Sequence, residues 1–284
     1  MTKRHRIVRV PASSANLGPG YDSMAAALAI HLELEVEETG ETTVDAGDAD
    51  LPSDRTNLCV RAFESLHPSD GLSFRISSHI PVSAGLGSSG AAIVAGLVAA
   101  DHMYELDAPV FDLAAEIEGH PDNVAAALYG GFVICAGGRA ERFEPAPGIE
   151  AVLAIPPERV STEDARAALP AEVPIEDAVH NAAHSALLVL GLARGDLDMV
   201  ARGLEDRIHQ PRRERLYPPS MELLRRAREL GAVGASISGA GPAVLFWCQW
   251  QQTGTLVENL RKAAPDCEVR RAQFSPGGAD VSAL

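Results

Sequence analysis

Lysine is nearly missing from this chain: among 284 residues only Lys3 and Lys262 occur, and the rest of the 24 basic residues are arginine. Against 39 Asp and Glu this leaves a formal net charge of −15. A polyanion is repelled by such a surface, so nucleic acid is excluded as a partner. The same bias fits either a GC-rich genome or a salty cytoplasm. Cysteine is also scarce. Cys59, Cys135, Cys248 and Cys267 lie far apart, without the spacing of a disulfide frame or a zinc site, and read as buried or incidental thiols. No apolar run approaches the roughly 20 residues that cross a bilayer, and the basic start Met1–Arg6 leads into a strand-like Ile7–Val10 rather than a signal core. A cytoplasmic chain without a membrane partner is expected. Internal repeats and low-complexity segments are absent too.

What remains is ordinary globular material, 46% hydrophobic and 22% charged with mean hydropathy +0.01, long enough for one large domain or two closely packed ones. Its most informative stretch is Pro81-Val82-Ser83-Ala84-Gly85-Leu86-Gly87-Ser88-Ser89-Gly90-Ala91-Ala92, which runs into the apolar segment Ile93–Val98. Gly85 and Gly87 let the backbone turn through positive φ and approach a bulky anion, and Ser88 and Ser89 fall where a helix N-cap would lie. Unpaired N–H groups and the helix dipole make that end a seat for phosphate. No lysine precedes the serines, so it is not a Walker loop, and it is read apart from the dinucleotide fingerprint.

Period-two alternation marks strands at Ile7–Val10, Leu32–Glu37 and Leu72–Ile80. Between the first two, Ser13–Gly20 reads as a loop, and Asp22–Ala29 fits a strand or a short helix equally. The acidic Thr39–Ser53 reads as an exposed loop or edge hairpin. Helices are expected at Asn57–Leu66, Ser88 to Tyr104 and Phe111–Glu118, with Asp122 capping another through Val124–Leu128. The helix from Ser88 is apolar all round, so burial on all sides is expected. After a strand at Phe132–Cys135 and Gly137-Gly138 the composition shifts, placing a domain boundary near residue 150. A strand at Ala151–Ile155, helices at Glu163–Leu169, His180–Leu192, Met199–His209 and Met221–Leu230, and a strand at Ala243–Trp247 follow. The class is α+β.

Four small or polar loops punctuate these elements: Pro11–Asp22, Pro81–Ala92, Glu118–Asn123 and Ser236–Pro242. Simple connections do not need repeated Gly-x-Gly and clustered serines, so the set points to a site. The segments Pro11-Ala12-Ser13-Ser14-Ala15-Asn16-Leu17-Gly18-Pro19-Gly20-Tyr21-Asp22, Pro81–Ala92, Gly119-His120-Pro121-Asp122-Asn123-Val124-Ala125 and Ser238-Gly239-Ala240-Gly241-Pro242 resemble the motifs of the GHMP kinase superfamily. Ser161–Arg166 and Asp206–Arg213 resemble stretches that set its homoserine kinase family apart.

The resemblance implies a two-domain fold: an N-terminal nucleotide-binding α/β domain over residues 1–150 with a left-handed βαβ-type phosphate loop, and a ferredoxin-like α+β domain over 151–284. It implies in-line transfer of the ATP γ-phosphoryl group to the side-chain hydroxyl of L-homoserine, a step in threonine biosynthesis supplied largely by positioning and charge neutralisation. A zwitterionic acceptor needs a carboxylate for its ammonium and guanidinium for its carboxylate. By analogy Asp22 takes the ammonium, Arg166 and Arg213 the carboxylate, and Asn16 with Asn123 the hydroxyl end, with His120 lining the pocket. Pro81 to Ala91 hold ATP, Ser238, Gly239 and Gly241 form the third glycine motif, and Ser89 with Glu118 ligates Mg2+, Glu116 and Asp112 being the alternative acids. Asn123 stands where several relatives carry a catalytic aspartate, so weak base catalysis at most is expected, with Asn123 orienting the hydroxyl. Ala84 replaces the polar residue of many relatives and reads as neutral. A mevalonate, shikimate or sugar kinase, or a non-catalytic sensor of the same fold, is the alternative. The resemblance also allows a homodimer.

Overall fold

The computed structural model describes residues 4–47 and 51–283. In chain order the elements are β1 (His5–Ala15), β2 (Met24–Glu38), β3 (Thr43–Asp45), α1 (Leu58–Glu64), β4 (Leu72–Ser78), α2 (Ser88–Tyr104), α3 (Val110–Glu118), α4 (Pro121–Tyr129), β5 (Phe132–Ala136) and β6 (Arg139–Phe143). Then come β7 (Ile149–Ile155), α5 (Thr162–Ala167), α6 (Ile175–Arg194), α7 (Leu197–Gly203), α8 (Pro218–Arg225), β8 (Gly234–Ile237), β9 (Val244–Gln249), α9 (Thr253–Ala263), β10 (Glu268–Ala272) and β11 (Asp280–Ala283).

Among the described residues the strands form two sheets. The first runs β11-β1-β2-β4-β3, with β5 paired to the start of β2 and β6 paired to β5. The second runs β10-β7-β9-β8 with antiparallel neighbours, which is the strand order of a ferredoxin-like β-α-β-β-α-β unit. The chain crosses from one sheet to the other between β6 and β7 and returns at β11, which pairs with β1.

Strands buried on both faces hold the two sheets together. On β7 and β9, Leu153, Leu245 and Trp247 face a core shared with the first sheet, while Val152, Val244 and Phe246 face a second core under α8 and α9. Trp247 lies 6.2 Å from Phe132 and 5.9 Å from Phe274 by ring centroid, so aromatic contact seals the seam. Helix α2 packs on α1, α3, α4, β1 and β2, and Ile93, Val94 and Leu97 are buried, as its lack of a polar face demands.

Several local expectations are corrected. Ser13 to Ala15 continue β1 instead of opening a loop, because Ser13 and Ser14 are fully buried and pair with Ala27 and Ala26. Residues from Met24 onward take the strand alternative. Within Thr39–Ser53 an edge strand, β3, forms and pairs parallel with β4, while residues 48–50 lie outside the described residues. Helix α4 begins at Pro121 with His120 at its N-cap, so Asp122 sits inside the first turn. Helix α7 stops at Gly203, short of His209, and α8 stops at Arg225. Ser236 and Ile237 belong to β8.

Candidate active site

One cleft is lined by Asn16, Tyr21 and Asp22, by Val82, Ser83 and Gly85 to Ser89, by Glu118, His120, Asp122 and Asn123, by Val160, Thr162, Arg166 and Arg213, and by Gly239 and Ala240. All four turn-rich segments of the sequence therefore meet. Of the predicted nucleotide stretch, Ala84, Gly90 and Ala91 are buried behind the cleft, and Pro81 faces a separate hollow beside Glu158.

The glycine loop sits at the N-terminus of the 17-residue helix α2, so unpaired amides and the positive end of the dipole face the cleft. Its N-cap is Gly87, in the left-handed conformation at φ 68°; Ser88 and Ser89 are the first helical residues rather than caps. The spacing of Gly85, Gly87 and Gly90 does match Gly-x-Gly-x-x-Gly, but β4 pairs antiparallel with β2 and α2 is followed by α3, not by the parallel strand of a dinucleotide fold. The third glycine motif braces the loop. Ser238 Oγ donates to Gly85 O at 2.7 Å, Ala243 N to Ala84 O at 3.2 Å, and Gly239 N to Ala15 O at 3.0 Å. A Cβ on Gly85 would lie 2.2 Å from Ser238 O, so only glycine permits this approach.

Beside the loop, Ser89 Oγ donates to Glu118 Oε1 at 2.5 Å. Asp112 and Glu116 are exposed on other faces of α3, so geometry brings Glu118 and not its alternatives to the serine. Burial pushes the Glu118 carboxyl above the usual range, against the lowering pull of the Ser89 hydrogen bond and of His120. His120 Nδ1 lies 2.9 Å from Asp122 Oδ1 and its Nε2 lies 3.6 Å from Glu118 Oε1. Burial of this imidazole opposes protonation, but the two carboxylates outweigh it and raise its pKa. Asn123 Oδ1 accepts from Ser13 Oγ at 2.7 Å, which turns its NH2 group to the donor role.

The other wall carries the charges. Arg166 forks onto Asp22 at 2.8 and 3.1 Å and donates to Tyr21 Oη at 3.0 Å. Asn16 Nδ2 donates to Gly239 O at 2.8 Å while its Oδ1 accepts from Asp22 N at 3.0 Å, joining the first motif to the third. Arg213 is different: it is 2% exposed, and among the described residues no carboxylate forms an ion pair with it. Its Nε donates to Ala165 O at 2.9 Å, its Nη1 approaches Gly239 O at 3.3 Å and His209 Nδ1 at 3.2 Å, and its guanidinium lies 5.4 Å from the centre of the Tyr21 ring. Burial holds the His209 imidazole below its ordinary pKa. The neutral ring donates from Nε2 to Gly18 O at 2.7 Å and accepts from Arg213 at Nδ1. A buried cation so held lacks only a counter-anion.

Sequence reasoning passed over Ser13, Tyr21, Asp122, Asp206 and His209. Asp206 organises the turn that carries Arg213, its carboxylate accepting from Ile208 N at 2.8 Å, Gln210 N at 2.7 Å and Asn181 Nδ2 at 2.7 Å. Burial works against its ionised form, but these donors, and His209 once acid protonates it, hold its pKa down. The signal was an acidic residue three positions before a histidine in a family-like stretch, read as a whole rather than by role.

Comparison with known proteins matches residues 57–131 to the N-terminal domain of GHMP kinases and residues 188–266 to their C-terminal domain. The chain is 39% identical over 263 residues to a homoserine kinase of Moorella thermoacetica, covering 87% of this chain and 88% of that one. It is 43% identical over 258 residues to a homoserine kinase of Gloeobacter violaceus, covering 84% and 86%. The crystal structure of homoserine kinase from Cytophaga hutchinsonii superposes with a TM-score of 0.88 at 27% identity, covering 99% of this chain and 98% of that one. With its motifs gathered in one cleft and relatives this similar along most of its length, the chain belongs to the homoserine kinase family of the GHMP kinases.

Proposed function

We propose that this protein transfers the γ-phosphoryl group of ATP to the side-chain hydroxyl of L-homoserine, giving O-phospho-L-homoserine and ADP. The observation that carries the reading is Arg213, a buried guanidinium facing the cleft without an acid partner among the described residues, beside an Asp22–Arg166 pair. A zwitterion supplies what each lacks: its carboxylate takes Arg213 and Arg166, and its ammonium takes Asp22. A neutral sugar satisfies neither. Asn16 and Asn123 hold the hydroxyl end, with the Asn123 amide donating, and His120 lines the pocket.

The phosphates rest on Val82, Ser83 and Gly85 to Ser89 at the start of α2, and the third motif, through Ser238, Gly239 and Gly241, keeps that loop in place. Ser89 and Glu118 fit Mg2+, since they present two hard oxygens 2.5 Å apart beside the phosphate seat, and this cation takes one or two protein oxygens with the phosphates and water. When bound, the metal neutralises charge on the transferring phosphoryl group. Residues 1–150 hold the nucleotide and residues 151–284 form the second unit, with β11 returned to the first sheet. A non-catalytic sensor would have no use for Ser89 and Glu118 in contact.

Replacing Arg166 and Arg213 together by alanine tests the reading. Homoserine phosphorylation is expected to fall at least about 1,000-fold in kcat/KM while ATP affinity is kept, each charged contact contributing roughly 2–5 kcal/mol. Retained activity on homoserine would overturn it.

A further inference from the structure

Away from the cleft, helix α6 presents His180 and His184 one turn apart, and the chain after α7 lays Glu205 against them. The two imidazole rings stack with centroids 3.7 Å apart. Glu205 Oε2 lies 3.9 Å from His180 Nε2 and 3.7 Å from His184 Nε2, and all three ligand atoms fall within 4.8 Å of one another. His184 Nδ1 is 2.7 Å from the His180 carbonyl; as a donor there it leaves Nε2 with its lone pair free to accept or to bind a metal. His180 Nε2 is buried and has no hydrogen-bond partner among the described residues.

We propose that His180, His184 and Glu205 form a binding site for a zinc-class divalent transition metal, separate from the magnesium that serves ATP. Two imidazoles and one carboxylate suit zinc, cobalt or nickel, whereas magnesium prefers oxygen alone. Tetrahedral ligands about 2.1 Å from zinc stand about 3.4 Å apart, so the two Glu205 gaps close by about 0.3 and 0.5 Å, and the stacked imidazoles rotate apart until both Nε2 lone pairs meet the ion. The cation gives the orphaned His180 nitrogen a partner, and the His184–carbonyl hydrogen bond is the outer-shell support such ligands ordinarily have. A water completes the fourth position, because Glu205 is exposed. The site joins α6 to the turn that carries His209 and Arg213: next to His180, Asn181 Oδ1 accepts from Arg207 N at 2.9 Å, and its amide donates to Asp206 Oδ1 at 2.7 Å.

The test uses the untagged full chain with magnesium present. Titration with Co2+ should give one saturable equivalent with the intense visible bands of a four- or five-coordinate ion, displaced by Zn2+, and Zn2+ should raise the melting temperature. The double variant H180A/H184A should lose at least about 100-fold in affinity and the zinc-dependent melting shift, while keeping homoserine phosphorylation. Should that variant fold poorly, Glu205→Gln, at an exposed position, should weaken binding about 10- to 100-fold. Absence of saturable one-to-one binding by the wild type, or unchanged affinity in H180A/H184A or in Glu205→Gln, would overturn the proposal.

Discussion

Replacing Arg213 by alanine should do more than slow the enzyme; it should change which alcohols the enzyme prefers. The guanidinium is 2% exposed and lacks an ion-pair partner among the described residues, so a substrate carboxylate meets it in a desolvated setting. At an effective dielectric constant of about 20 and a separation of about 4 Å, the attraction is about 4 kcal/mol, or roughly 1,000-fold. Truncation also strands Ala165 O, which costs about 1–3 kcal/mol in stability and acts on every substrate alike, while Gly239 O keeps Asn16 as its donor. Comparing L-homoserine with 3-amino-1-propanol, which keeps the ammonium and the hydroxyl but lacks the carboxylate, separates the two effects. Steady-state kinetics of both alcohols with wild type and Arg213→Ala form a cycle whose coupling term isolates the carboxylate contact. The wild type should prefer homoserine strongly, and the variant should lose about 100- to 1,000-fold of that preference. Equal losses on both alcohols would mean that Arg213 only supports the fold, and the reasoning would be wrong.

Three further outcomes follow from other parts of the cleft. Because burial raises the Glu118 pKa, protonation competes with metal binding at a higher pH than for a free carboxylate; apparent Mg2+ affinity should fall as pH drops through that raised value, and Glu118→Gln should flatten the dependence, as Mg2+ titrations across pH would record. Asn123→Ala should lower kcat about 10- to 100-fold with little change in ATP affinity, and Ser13→Ala, which frees the Asn123 amide to turn, should give a smaller loss in the same direction; an unchanged turnover rate in Asn123→Ala removes its orienting role. Gly85→Ala should destabilise by about 3 kcal/mol or more, since its Cβ meets backbone at 2.2 Å at φ +80°, whereas Gly119→Ala, with φ +85° and open space, should cost only about 1–2 kcal/mol. Thermal melts of the two variants distinguish steric contact from backbone conformation.

Local pattern made much of the fold legible. Alternation in Leu72–Ile80, the uniformly apolar Ser88–Tyr104 and the glycines between them are properties of neighbouring residues, and β4, the loop and α2 follow them closely. Misreadings arose where distant contacts decide. Small residues such as Ser13 and Ser14 look turn-like, yet pairing with β2 makes them strand, and their burial brings Ser13 to Asn123. The amphipathic stretch from Met199 to His209 breaks because the Asp206 side chain captures the amides that follow it, a competition between side chain and helix that composition does not reveal. The site residues were legible as types, through charge and motif, but their roles were not separable. Arg166 and Arg213 look alike in sequence; in the fold one is half-exposed and paired with Asp22 and the other is buried without an acid. That difference depends on carbonyls at Ala165 and Gly239, 48 and 26 positions away.

The central claim is tested most directly by incubating the protein with Mg2+, ATP and a panel of alcohols, L-homoserine, mevalonate, shikimate and a hexose among them, while following ADP release and identifying the phosphorylated product by 31P NMR. The account predicts turnover with L-homoserine far ahead of the others and a phosphomonoester on its side-chain oxygen; no turnover with homoserine alongside turnover of another alcohol would contradict it.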